Sequence, residues 1–152
     1  MPDLKILNSR EVKEIYAKIE EQWGCRLKLD YGFLQNSKNR VFIVTKEISR
    51  IDLDKIKFNS IGIYFCEIDK VGLRLSIEGA QIVGPHAKKN VAEISENDAK
   101  RWLKGEDLEI SLENASGFVI LKCGKDFLGN GKYSNGKIYN YVSKTRRISA
   151  TV

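Results

Sequence analysis

From Leu108 to Val142 the chain is written almost wholly in short period-two runs, and no other pattern narrows its fold so far. Leu108, Ile110 and Leu112 alternate with polar neighbours, and strand-like runs follow at Gly117 to Leu121, Asp126 to Leu128 and Lys137 to Val142. Asn135-Gly136 suits a two-residue type I′ hairpin turn. Strands this short and this close, with one helix ahead of them, describe a small, partly closed barrel rather than a doubly wound sheet. A barrel of that size offers a surface, not a crevice.

The helix ahead of these strands is well punctuated. Ser95 with Asp98 forms a capping-box-like pair, Ile94 can staple against Ala99, and Gly105 suits the left-handed position after the last turn, so a helix is predicted over Glu96 to Lys104. Its apolar side is Ala99, Trp102 and Leu103, and Trp102 on that inward side reads as core, with base stacking as the alternative. Before it, Leu73, Leu75 and Ile77 alternate with Arg74, Ser76 and Glu78, which predicts a strand that Gly79 interrupts, or a bulge, ahead of Ala80 to Val83.

The first half follows a different pattern. Val12, Ile15, Tyr16, Ile19 and Trp23 recur at helical spacing, with Ser9 as the expected cap and Gly24 as the stop. From Arg26 the period becomes two, and Leu27, Leu29, Tyr31 and Phe33 predict a half-buried strand. A polar turn at Gln35 to Asn39, a strand at Arg40 to Thr45, a short helix around Leu53 and Ile56, and a strand at Ser60 to Glu67 complete an α+β unit with an antiparallel sheet. The pattern changes near Val71-Gly72, so two units are expected, residues 1–71 and 72–152. Units that small bury little surface each and must lean on one another.

The chemistry is sparse. Cys25, Cys66 and Cys123 are far apart and His86 is the only histidine, so neither a zinc site nor a Cys/His hydrolase is expected. Gly129-Asn130-Gly131 lacks the third glycine and the following helix of a dinucleotide loop, and reads as a strand bend or a close backbone approach. There is no phosphate-binding P-loop sequence and no nucleophile elbow. No catalytic residue, metal or cofactor is therefore assigned. No apolar run is long enough to span a bilayer and the first residues lack a signal peptide's apolar stretch, so no membrane association is expected and the expected compartment is the cytoplasm.

Charge is unevenly spread. Of the net +6, residues 1–72 contribute 13 basic and 11 acidic side chains, residues 73–116 contribute 6 and 8, and residues 117–152 contribute 7 and 1. The excess thus sits at the C-terminal end, which suits a polyanion because phosphate neutralisation releases condensed counterions. A solvated basic surface that maintains solubility fits the charge equally well. Beside the cations stand Tyr133, Tyr139 and Tyr141, interleaved with Lys132, Lys137, Lys144, Arg146 and Arg147, a combination suited to unpaired RNA. Tyr139 and Tyr141 share one strand face and Ile138, Asn140 and Val142 the other; whichever set faces inward leaves the other outside.

Three segments carry a family resemblance: Leu73-Arg74-Leu75-Ser76-Ile77-Glu78-Gly79-Ala80, the capped helix ending Trp102-Leu103-Lys104-Gly105, and Leu128-Gly129-x-Gly131 followed by a hairpin ending Val142-x-Lys144-x-Arg146-Arg147. With them, Gly72 to Ile148 resembles a PUA domain, the small RNA-binding pseudo-barrel of pseudouridine synthases and archaeosine transglycosylases. The last segment is similar to the PUA-like tails of Nop2/Sun-type RNA methyltransferases and of small archaeal ribosome-maturation proteins, and residues 1–71 resemble the pre-PUA domain. The resemblance implies an α+β chain with a pre-PUA-like α/β domain before a PUA-like pseudo-barrel. It implies binding of structured rRNA or tRNA through Lys88, Lys89, Arg101, Lys104, Gly105, Lys144, Arg146 and Arg147, to which the tyrosine-flanking Lys132 is added. With 152 residues and no cofactor-binding motif, the chain is expected to lack the methyltransferase domain and to be a non-catalytic binder or subunit, working in RNA maturation beside an RNA-modifying enzyme or a ribosome-assembly factor. The competing reading is an adaptor whose basic surface meets an acidic protein.

Overall fold

A computed structural model describes residues 4–44, 62–70 and 72–141. They form an α+β fold of two five-stranded sheets. The first sheet joins β1 (Lys5–Ile6), β2 (Gly32–Gln35), β3 (Arg40–Val44), β4 (Ile63–Ile68) and β5 (Leu73–Leu75) in chain order, all antiparallel. Helix α1 (Ser9–Trp23) packs on it, burying Ile15, Ile19 and Trp23 among Phe33, Phe65 and Leu75.

Asn8, not Ser9, caps α1. Its side-chain oxygen accepts from the Glu11 amide at 2.9 Å, and the Glu11 carboxylate accepts from the Asn8 amide at 3.1 Å, a complete capping box. The hydrogen bond from Lys5, and then that from the Asn8 amide, holds the Glu11 carboxyl below its ordinary range. Gly24 ends the helix in the left-handed conformation, as expected.

The strand expected from Arg26 begins only at Gly32. Tyr16 explains the delay: its hydroxyl accepts from the Leu29 amide at 2.9 Å and donates to the Leu29 carbonyl at 3.1 Å, taking both backbone groups that a neighbouring strand would have paired. Leu27 and Leu29 still pack on the core. The polar turn and β3 stand as expected, with Asn39 in the left-handed region. The helix predicted around Leu53 and Ile56, and the strand's start at Ser60, lie outside the described residues.

After β5 the alternation continues on paper but not in space, because residues 77–83 form α2 (Ile77–Val83) instead of a strand or bulge. Ser76 makes the change: its hydroxyl accepts from the Gly79 amide at 2.9 Å and donates to the Tyr64 carbonyl at 2.6 Å, capping the helix and fastening it to β4. A methyl group at Gly79 would lie 2.2 Å from the Phe65 carbonyl oxygen, so only glycine lets α2 sit this close to β4. A 3-10 turn, Gly84–His86, follows.

The second sheet has the order β6 (Val91–Glu93), β8 (Gly117–Cys123), β9 (Asp126–Ser134), β10 (Lys137–Asn140), β7 (Leu108–Glu109). Only the β6–β8 pair among these is parallel. Helix α3 (Glu96–Leu103) covers one face, with Ser95 as its cap. Trp102, Leu108, Val119, Leu121 and Ile138 form a second core there. Trp102 is fully buried and its indole donates to the Leu128 carbonyl at 2.8 Å, so it is core and not a stacking platform. The strand predicted over 108–112 shortens to β7, while β9 runs on through Gly129-Asn130-Gly131 to Ser134. At Gly131 a methyl group would collide with the side chains of Ile138 at 2.4 Å and Trp102 at 2.5 Å, so the glycine makes room for this chain's own core. Asn135 and Gly136 both have positive φ, as a type I′ turn requires.

The two sheets are tied by more than apolar contact. Phe118 and Ile120 of β8 belong to the core of the first sheet. Buried Asn130 accepts from the Leu75 amide at 2.7 Å, at the outer edge of the first sheet, and donates to the Val119 carbonyl at 3.1 Å. Gln22 at the end of α1 donates to the Ser116 and Phe118 carbonyls, each at 2.7 Å. The change of sequence pattern at Gly72 therefore falls between two strands of one sheet, β4 and β5.

Candidate functional site

Ile138 faces the second core, so the alternation along the last described strand turns Tyr139 outward, and Tyr141 follows it; each is 42% exposed. Of the two orientations open to the sequence, this is the one that leaves the tyrosines available. Tyr139 lies opposite Lys132, which lies opposite Phe118, so these side chains share the face turned away from α3. Arg74 reaches this face from β5. Its guanidinium carbon lies 4.9 Å from the Tyr141 ring centre, it donates to the Tyr141 carbonyl at 3.3 Å, and it pairs with Glu67 at 2.8 Å. Phe118 meets the same ring edge-on at 5.6 Å. The Lys137 ammonium stands 5.1 Å from the Tyr139 ring centre and 3.8 Å from Asp107. Each tyrosine thus carries a cation near its ring, an arrangement worth about 0.5–1 kcal/mol at an exposed site.

Tyr133 is differently employed. Its hydroxyl accepts from the Leu112 amide at 2.9 Å and donates to the Leu112 carbonyl at 3.3 Å, fastening the loop after β7.

The predicted cations divide into groups. Lys104 is exposed and Gly105 follows with positive φ at the end of α3. Asn140 draws β10 to the same place, donating to the Trp102 carbonyl at 2.8 Å and the Glu106 carbonyl at 2.9 Å. Arg101 is already engaged by Glu106 at 3.1 Å and Asp98 at 3.5 Å, exposed pairs of small energetic value. Lys88 and Lys89 lie elsewhere: their backbone amides donate to the Trp23 carbonyl, which places both residues at the C-terminal end of α1. With Lys122 they rim a groove of about 550 Å³ that also holds Phe127, Glu93 and Glu113 and takes no residue from α3 or β10. Lys144, Arg146 and Arg147 lie outside the described residues.

Arg74 and Asn130 were not found from the sequence as parts of this arrangement. Both act across more than fifty residues of chain, and nothing in their immediate neighbours signals it.

The architecture, with α3 packed on the second sheet and an α+β unit before it, is the PUA fold preceded by a smaller unit. Its fold resembles the crystal structure of a PUA domain from Aeropyrum pernix K1, with a TM-score of 0.59, coverage of 99% of this chain and 89% of that one, and 9% sequence identity. Residues 89–148 match the family model described as the methyltransferase RsmF PUA domain. Over 138 residues the chain is 25% identical to the ribosomal RNA small subunit methyltransferase F of Aeromonas salmonicida, covering 91% of this chain and 28% of that protein. The protein of the same name from Vibrio cholerae is 25% identical over 131 residues, 86% of this chain and 27% of its own length. The chain therefore has the PUA fold and is similar, over its C-terminal part, to the PUA tails of Nop2/Sun-type methyltransferases, and it spans little more than a quarter of the length of those relatives. No described helix is long and apolar enough to cross a membrane.

Proposed function

We propose that this chain binds RNA in the service of rRNA modification, with residues 72–152 as the RNA-binding PUA-like unit and residues 1–71 as a pre-PUA-like unit that supports it. The chain contributes binding and not catalysis, and its protein partner is an RNA-modifying enzyme or a ribosome-assembly factor. One observation carries the reading: Tyr139 and Tyr141 stand exposed on one face among Arg74, Lys132 and Lys137, aromatic rings and cations being what RNA bases and phosphates require. The similarity to small-subunit rRNA methyltransferases supports rRNA as the RNA bound. The seven cations against one acid in residues 117–152 supply the electrostatic attraction, with Lys144, Arg146 and Arg147 as its terminal part.

Fluorescence anisotropy with labelled small-subunit rRNA fragments tests this. Affinity should fall linearly with salt on logarithmic axes. Equal binding to polyglutamate would favour the acidic-protein adaptor instead, and failure to bind RNA at low salt would end the proposal.

A further inference from the structure

Building on that RNA-binding reading, we propose that Tyr139 and Tyr141 form a two-base stacking site for an extended single strand, completed by Arg74 from the first sheet. Tyr139 lies on β10 and Tyr141 one residue past its end, and the backbone positions of residues two apart in extended chain lie about 6.8 Å apart, whereas bases stacked in a duplex lie about 3.4 Å apart along each strand. Neighbouring duplex bases cannot each meet one of these rings, and their faces are in any case covered by the stack. An extended strand, with its bases splayed, matches the interval and offers one face to each tyrosine.

The surroundings suit the same ligand. Arg74 and Phe118 hold the Tyr141 ring, through the guanidinium at 4.9 Å and the ring edge at 5.6 Å, so this ring is preorganised. Lys137 stands near Tyr139 and Lys132 lies opposite it across the strand pair, both placed to meet the phosphates that join the two bases. Arg74 also pairs with Glu67, so its charge is partly spent within the protein and its contribution is to fix the ring. The site uses the sheet face opposite α3 and is therefore distinct from the corner where Asn140 gathers Lys104, Gly105 and the last described strand.

The test uses the full chain with two labelled probes, a ten-nucleotide single-stranded RNA of adenine and uridine without self-complementarity and a twelve-base-pair RNA duplex. The single strand should bind more tightly at matched salt. Tyr139→Leu and Tyr141→Leu should each weaken the single strand roughly fivefold or more and leave the duplex unchanged, while Tyr139→Phe and Tyr141→Phe keep the wild-type affinity. Ultraviolet crosslinking of a 4-thiouridine single strand to the unmutated protein, read by tryptic mass spectrometry, should mark the peptide Ile138 to Lys144. Unchanged single-strand affinity in both leucine variants, a preference for the duplex, or crosslinks confined to other peptides would overturn the stacking site while leaving RNA binding intact. Absence of binding to either probe and to rRNA fragments would overturn both proposals together.

Discussion

Replacing Asn130 by Ala should cost the protein a large part of its stability, though the side chain lies in neither apolar core. Asn130 is buried and serves two backbone groups, the Leu75 amide at 2.7 Å and the Val119 carbonyl at 3.1 Å. Leu75 belongs to β5, the last strand of the first sheet, so its outward amide has no further strand to pair with. Orphaning a buried donor or acceptor costs about 1–3 kcal/mol, and two of them about 2–6 kcal/mol. Against a total stability of roughly 5–15 kcal/mol that is a major fraction. In urea, with a slope of about 2 kcal/mol per molar for a chain of this size, the midpoint should fall by about 1–3 M. Hydrogen exchange at the Leu75 amide should accelerate in step. Asn130→Asp makes a sharper control, because a protonated carboxyl can still accept from Leu75 and donate to Val119, whereas a carboxylate cannot donate and is buried as a charge. Burial raises that carboxyl's folded-state pKa, so its stability should be greatest in mild acid and be lost as the pH rises. A midpoint shift below about 0.3 M for Asn130→Ala, with an unchanged slope, would refute the claim that this residue fastens the two sheets.

Trp102→Ala removes a fully buried indole from the core beneath α3 and should cost about 3–5 kcal/mol, read from urea unfolding; a loss below about 1 kcal/mol would contradict the packing described. Gly79→Ala forces a methyl group against the Phe65 carbonyl and should destabilise by about 1–3 kcal/mol, which differential scanning calorimetry will register. Burial, and then the charge of Glu67, pushes the Cys66 thiol far up. The folded state therefore keeps a proton that the unfolded chain releases near pH 8.5, so stability should decline as the pH rises past that value, and Cys66→Ala should make this alkaline decline shallower in a plot of urea midpoint against pH, the rest coming from the likewise raised Cys25 and Tyr64. Replacing Lys144, Arg146 and Arg147 together by Ala should flatten the logarithmic salt dependence of RNA binding by about 0.7–0.9 for each phosphate that is no longer neutralised; an unchanged slope would remove these three from the interface.

What could be read in advance was what is written locally. The ends of α1 and α3 and the Asn135-Gly136 turn depend on residues within a few positions of one another, and the expectations there needed only the cap of α1 moved from Ser9 to Asn8. The errors came where a local pattern was satisfied by a distant partner. Leu27 to Tyr31 alternates as a strand does, yet the Tyr16 hydroxyl takes the Leu29 backbone in place of a strand. Leu73 to Glu78 alternates too, but Ser76 caps a helix whose seat is β4, and Gly79 reads as a breaker until Phe65 is seen beneath it. The site followed the same division. Alternation identified Tyr139 and Tyr141 as sharing a face, and burial of Ile138 decided which face. That Arg74 would meet Tyr141, or that Tyr133 would be occupied by Leu112, depends on sheet packing, which periodicity does not encode.

The sharing of one core between the first sheet and β8 also sets the order in which the chain can mature on the ribosome. Phe118 and Ile120 seal the core that α1, β2 and β4 begin, yet they are synthesised roughly forty residues after Leu75 completes the first sheet. At translation speeds of about 5–20 residues per second, that leaves an interval of about 2–8 s in which Phe33, Phe65 and Trp23 lack their final cover. The nascent chain thus exposes apolar surface for seconds, the interval in which aggregation competes with folding. Docking of β8 hides that surface and at the same time supplies the strand against which β9 pairs, and β9 in turn carries β10, so closing the first core is what starts the second sheet.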